Sequence, residues 1–174
     1  LLNRDIIGVD INDIALQRCS EKIDFDYELA KGKVKLRKGD ARNLDFISDE
    51  SIDFICTHPP YANIIKYSED IEGDLSQLKV PDFLAEMELV ASESYRVLRR
   101  GKFCAILMGD TRQKGHMIPM SFAVMRIFEN VGFKLKELII KEQHNCRATG
   151  YWKTNSVKYN FLLIAHEYLF VFKK

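Results

Sequence analysis

The sequence predicts a doubly wound α/β domain with a mostly parallel sheet. Two observations carry that expectation. Short apolar runs of strand length end at polar residues or prolines, and segments with helical apolar spacing separate them. A third is size: 174 residues, 47% apolar and 29% charged, suffice for one domain with a sizeable core. Residues 1–174 therefore read as a single domain, with no internal repeat, low-complexity tract or linker.

The elements follow in order. Ile6 to Ile11 is a short apolar run ending at an acid, a first strand, and Asn12 to Ala30 carries mixed helical spacing at Ile14, Ala15, Cys19 and Ile23. Lys33 to Gly39 alternates Val34 and Leu36 with basic residues, a second strand broken at Gly39-Asp40-Ala41. Ser51 to Thr57 reads as a short buried strand stopped by His58-Pro59-Pro60-Tyr61, because neither proline can donate to a ladder. Ala62 to Val80 is polar, with acids at Glu69, Asp70, Glu72 and Asp74, and reads as a long loop or short helix over a cleft.

Pro81 opens an amphipathic helix through Phe83, Leu84, Met87, Val90, Ala91, Tyr95 and Leu98, expected to close at Gly101 with Arg99 and Arg100 in its last turn. Lys102 to Met108 is a buried strand ending at Gly109-Asp110. Pro119 to Val131 reads as a helix closed by Gly132, Phe133 to Glu142 as a strand, and Asn160 to Phe172 as the final strand, with aromatics suited to a sheet edge.

Charge narrows the function classes. The formal net charge of +1 argues against a uniformly basic nucleic-acid coat protein. Residues 1–94 carry 11 basic and 20 acidic side chains, whereas residues 95–174 carry 15 and 5. That asymmetry points either to a polyanionic partner or to halves that neutralise each other on folding. The four cysteines, Cys19, Cys56, Cys104 and Cys146, form no CxxC pair, so they read as reduced and packed, with no metal site. No apolar run approaches the roughly 20 residues that span a bilayer, and a soluble cytoplasmic protein is expected.

In an open parallel sheet, ligands bind beyond the carboxyl ends of the strands. Three such ends are polar here: Asp10, Asp40 and His58-Pro59-Pro60-Tyr61, expected to converge on one edge. A carboxylate at Asp10 can accept both hydroxyls of a ribose, or it can cap the following helix, as Asn12 and Asp13 also can. Asp40 likewise reads as a ligand contact or as a turn residue after Gly39. Thr57-His58-Pro59-Pro60-Tyr61 is the sharper signal. Two prolines make a rigid extended segment without backbone donors, so carbonyls and the preceding side chain are left as acceptors, and the aromatic offers a face for a planar base.

These motifs resemble the S-adenosylmethionine-dependent amino-methyltransferases that modify exocyclic nitrogens of nucleic-acid bases. Gly8-Val9-Asp10-Ile11 looks like the ribose-binding acid motif, Lys38-Gly39-Asp40-Ala41 like the adenine-contacting motif and Thr57-His58-Pro59-Pro60-Tyr61 like the catalytic motif. The resemblance implies a Rossmann-like methyltransferase fold and S-adenosylmethionine as cofactor, bound by Asp10, Ile11, Asp40, Ala41 and Thr57. It also implies His58, Pro59, Pro60 and Tyr61 as catalytic residues. DNA is the implied partner, methylated at cytosine-N4 or adenine-N6. The motif order is the unpermuted one, and Thr-x-Pro-Pro-Tyr is nearer to the cytosine-N4 form.

Two departures stand out. His58 occupies the place where the family carries Asp, Asn or Ser, so the acceptor for the target amine would be a neutral imidazole. The family's first strand and Gly-rich cofactor loop have no counterpart in these residues, and both are expected upstream of Leu1, so that the domain is N-terminally truncated here.

In the basic half, Arg112, Lys114, Arg147 and Lys153 read as phosphate contacts, and Gln143 to Trp152 as a loop that either reads bases or is simply solvated. The alternatives are an RNA guanine-N2 or protein glutamine methyltransferase, a non-catalytic nucleic-acid-binding subunit, and a nicotinamide-dependent dehydrogenase. The last leaves His58 to Tyr61 unexplained.

Overall fold

Residues 3–23, 32–143 and 149–174 are described by a computed structural model. Strand β1 (Ile6–Asp10) lies parallel to β2 (Val34–Lys38), in register from Ile6 opposite Val34 to Asp10 opposite Lys38. Helix α1 (Asp13–Lys22) connects them and starts where Asn12 caps it, its side-chain oxygen accepting from the N–H groups of Ile14 and Ala15. Residues 24–30 of the expected first helix lie outside the described residues.

A second sheet has the strand order β3 (Ile52–Thr57), β4 (Leu98–Met108), β8 (His166–Lys173), β7 (Lys134–Glu142). β3 and β4 are parallel, and β8 runs antiparallel to both of its neighbours, so three of the four strands point one way. Among the described residues no strand of the first sheet hydrogen-bonds to one of the second.

Helices α2 (Val80–Val97) and α3 (Met120–Val131) cover one face of this larger sheet. The apolar stripe of α2 buries Phe83, Met87, Val90, Ala91 and Val97, and that of α3 buries Met120, Val124, Ile127 and Phe128. They meet Cys104, Ile106 and Met108 of β4 and Phe170 and Phe172 of β8, with Phe128 stacked on Phe172 at 5.3 Å. Strand alternation sends the other side chains to the opposite face, where Phe54, Cys56 and Ile139 are exposed. Cys104 is thus a core residue, its thiol pushed up to about 12 by burial, whereas Cys56 is not packed as expected but lies on the open face. Cys146 lies outside the described residues.

Several boundaries differ from the sequence reading. Helix α2 ends at Val97, and Leu98 is already strand, so Gly101 does not close the helix. Gly101 adopts φ +75° inside β4, where Arg99–Lys102 loop out opposite Asp53 while Leu98 and Phe103 pair with Ile52 and Phe54. Arg99 and Arg100 lie in β4, not in the last turn of the helix, and pair with Asp53 and Glu50. Gly109 to Pro119 holds an unanticipated hairpin, β5 (Thr111–Gln113) and β6 (His116–Ile118), turning through Lys114 and Gly115, both at positive φ. Helix α4 (Thr149–Tyr159) takes up residues 149–152 of the loop expected from Gln143 to Trp152, residues 144–148 lie outside the described residues, and the last strand begins at His166 rather than Asn160.

The charge asymmetry is partly neutralised within the fold. Arg96, Arg99, Arg100, Lys102 and Lys174 from the basic half pair with Asp49, Glu50 and Asp53 from the acidic half. No helix among the described residues is long and apolar enough to cross a membrane.

Candidate active site

Two clusters form at the carboxyl ends of the parallel strands. At the first, the Asp10 carbonyl accepts the Gly39 N–H at 3.0 Å, which holds the ends of β1 and β2 side by side. The Asp10 carboxylate is exposed and accepts only the Asn12 N–H, at 2.8 Å, among its described bonds. It is therefore not the helix cap, a task taken by Asn12, and its second oxygen is open to a ligand. The Asp40 carboxylate is instead gripped by Arg42, whose side chain reaches on to Glu86 of α2 and the Gly73 carbonyl. Burial pushes the Asp40 carboxyl up, yet the Arg42 hydrogen bonds outweigh it and hold it below the usual range. A Cβ at Gly73 would meet Arg42, Ile11 and Asp40, so this turn lies directly over the first cluster. Ala41 is exposed beside it.

The second cluster begins where Thr57 ends β3. His58 Nε2 lies 2.7 Å from the Tyr61 hydroxyl, and that hydroxyl donates to Glu167 Oε1 at 2.5 Å. Glu167, on β8 and only 4% exposed, also accepts from Lys141 of β7 at 2.6 Å through Oε2. Burial raises the Glu167 carboxyl, but the hydrogen bonds from Lys141, Tyr61 and Gln143 more than compensate and leave it below the usual glutamate range. The Tyr61 hydroxyl moves the other way: burial and the neighbouring Glu167 charge push it far above the usual tyrosine value. The Tyr61 ring lies against Gly109, where an added Cβ would sit 2.9 Å from its Cε2. Thr57 and His58 line a cleft of about 560 Å³ with Cys56, Leu107, Ile139, Ile140, Lys141 and Leu169.

The segment after Pro60 links the clusters, running from Tyr61 through a short turn at Ala62–Ile64 to Gly73 over Asp40, with a second short turn at Leu75–Gln77 following it. Its acidic run is not uniformly solvated. Asp74 is buried and accepts from Ser68 and Ser76, which ties the segment down.

Sequence reasoning missed Glu167 and Lys141 as members of this site. The available signal was an acid inside an otherwise apolar and aromatic final strand, since such residues are rarely buried unpaired. Of the basic residues, Arg112 is engaged: its guanidinium lies 4.8 Å over Phe161 and donates to the Gly115 and Leu162 carbonyls, tying the hairpin to the approach to β8. Lys114 at the hairpin tip and Lys153 on α4 are exposed, and Arg147 lies outside the described residues.

The archaeal type II methyltransferase M.MjaI of Methanocaldococcus jannaschii is 24% identical over 167 residues, covering 80% of this chain and 55% of its own length. The chain spans about half the length of the curated relatives it matches. In fold it is similar to the PvuII cytosine-N4-specific DNA methyltransferase, at 21% identity and TM-score 0.61, covering 78% of this chain and 47% of that one. It is also similar to an S-adenosylmethionine-dependent methyltransferase of Methanosarcina mazei, at 15% identity and TM-score 0.62, covering 98% and 82%. The Rossmann-like methyltransferase fold therefore extends across both clusters. The family model of the N6/N4 type, described as DNA methylase, matches residues 52–174, from the start of β3 to the end of the chain. This chain belongs to the N6/N4 family of DNA methylases.

Proposed function

We propose that this chain carries the transfer site of an S-adenosylmethionine-dependent methyltransferase that methylates an exocyclic amino group of a DNA base, cytosine-N4 or adenine-N6. The observation that carries the reading is the rigid His58-Pro59-Pro60-Tyr61 segment at the carboxyl end of β3, with His58 on the cleft and the Tyr61 hydroxyl anchored to Glu167. The first cluster fits the cofactor at its ribose. Asp10 is exposed and has an oxygen to spare, while Ile11 lies beneath the Gly73 turn and Ala41 is exposed next to Asp40. Asp40 serves this edge through Arg42, which holds the loop in place, and Thr57 closes the side toward the cleft.

S-adenosylmethionine supplies, when bound, a methyl group on a positively charged sulfur. The target amine is a poor nucleophile because its lone pair is delocalised into the base ring. His58 and the Pro59 carbonyl accept its hydrogens, which favours a pyramidal nitrogen, and Tyr61 stacks against the base. Bound S-adenosylmethionine would supply the methyl group and leave as a neutral sulfide, and the proton lost by the methylated amine would pass to solvent. No covalent enzyme intermediate is required, and catalysis rests on alignment. A base in a duplex has first to be flipped out. Lys114 and Lys153 are placed on exposed ground to contact phosphates, and α4 presents Tyr151 and Trp152 beside Lys153.

The test is mass spectrometry of nucleosides from DNA and RNA incubated with the full-length protein and S-adenosylmethionine. N4-methylcytosine or N6-methyladenine in the DNA digest is expected. Methylguanosine confined to RNA would replace DNA as substrate, and silence in both digests would remove the assignment.

A further inference from the structure

We propose that Glu167 is a positioning residue for the transfer: through Tyr61 it sets the tautomer of His58, so that Nδ1 carries the lone pair offered to the target amine. This rests on the methyltransferase reading above and names the acceptor atom at the position where His58 departs from the family's usual residues.

The argument is one of hydrogen counting. Glu167 is buried, Lys141, which can only donate, occupies its Oε2 at 2.6 Å, and Gln143 hydrogen-bonds it as well, so the carboxylate is ionised and can only accept. The Tyr61 hydroxyl has one hydrogen, and it is given to Glu167 Oε1 at 2.5 Å. The 2.7 Å contact between Tyr61 and His58 Nε2 must then be donated by Nε2–H. A neutral imidazole carries one N–H, so Nδ1 is bare. The reverse polarity would set hydroxyl lone pairs against the carboxylate. Among the described residues, Tyr61 on its own segment and Glu167 of β8, with Oε1 3.9 Å from Nε2, lie against His58, and Lys141 of β7 lines the same cleft. An Asp or Asn offers an oxygen acceptor without such help. An imidazole presents either an acceptor or a donor at a given nitrogen, and something must choose.

Glu167→Gln inverts the choice. Lys141 still demands the carbonyl oxygen, so the new amide NH2 faces Tyr61, whose hydrogen is released to His58 Nε2 and whose partner tautomer bears Nδ1–H. The amine then meets a donor. Two measurements in the full-length protein test this. Nitrogen-15 NMR of the His58 ring is expected to show Nε2–H in the wild type and Nδ1–H in Glu167→Gln. Turnover is expected to fall on the order of 100-fold in Glu167→Gln, with S-adenosylmethionine affinity measured by calorimetry unchanged within about twofold. Tyr61→Phe keeps the ring and cuts the relay. It is expected to lose less than Glu167→Gln, and the double variant is expected to be no worse than Tyr61→Phe alone.

Nδ1–H in an active wild type, or additive losses in the double variant, would overturn the relay and leave the methyltransferase reading standing. A wild type that methylates neither DNA nor RNA would overturn that reading and the relay with it.

Discussion

The two clusters sit on differently built ground. Around β1, α1 and β2 no described residue before Ile47 is buried, and Ile6, Ile7 and Ile14 are more than two-fifths exposed. This edge is held by parallel pairing and by polar clamps: Arg42 on Asp40 and Glu86, and Arg96 on the Leu44 and Ile47 carbonyls while Glu93 receives the Leu44 N–H. Around β3, β4, β7 and β8 the same chain builds a continuous apolar core of aromatic rings under α2 and α3. Among the described residues the contrast is one of fastening. Asp10 and Asp40 are placed by directional bonds that water and acid can contest, whereas His58 to Tyr61 are mounted on a core that hydrophobic burial maintains. The family match begins at β3, on the core-mounted side.

The contrast makes its largest prediction for the core. Phe128→Ala, which empties a fully buried site stacked on Phe172, should cost about 3–5 kcal/mol in urea unfolding. Ile14→Ala on α1, a 60% exposed residue, should stay within about 0.5 kcal/mol. Comparable losses at both positions would erase the difference between the regions.

Acid should separate the two regions more gently. The Asp40 and Glu167 carboxyls are both held below their usual values, so each contributes stability that is complete above the unfolded value and is lost as pH falls through the depressed folded one. At the polar edge this is the fastening itself. Amide exchange at residues 34–47 should accelerate as pH drops below the ordinary carboxylate range, after correction for intrinsic rates, while residues 104–108 hold. Arg42→Ala, which strips the hydrogen bonds that depress Asp40, should destabilise that edge by about 1–2 kcal/mol and flatten its acid dependence. Equal acceleration in both regions would contradict the division.

A small effect is also expected at Gly101. An added Cβ there meets no atom within 4 Å, so Gly101→Ala should cost only about 1 kcal/mol, from the φ of +75° alone. Gly109 has no such freedom, since its Cβ would press on the Tyr61 ring.

Much of the architecture was legible because period and punctuation carry it. The alternation at Val34 and Leu36, the apolar stripe from Phe83 to Val97 and the double proline after Thr57 each state a local geometry. The boundaries that were misread are those where one local signal had two meanings. Gly101 after Arg99 and Arg100 looks like a helix stop, but pairing of Leu98 with Ile52 drew those residues into the sheet. Lys114-Gly115 is a weak hairpin signal beside Asn-Gly, and α4 has little apolar periodicity to announce it.

The sequence alone determined the chemistry available at each strand end: a carboxylate at Asp10, another at Asp40 and the rigid acceptor-rich segment from His58 to Tyr61. Those properties reside in single residues and their immediate neighbours. Only the tertiary structure decided what each group is free to do. It tied Asp40 to Arg42 while leaving Asp10 open, and it brought Glu167, 106 positions from Tyr61, to the hydroxyl that sits against His58. Hydrogen-bond polarity is a property of partners, and partners so far apart along the chain meet only when β4 pairs with β3 on one side and β8 on the other, with β7 beyond.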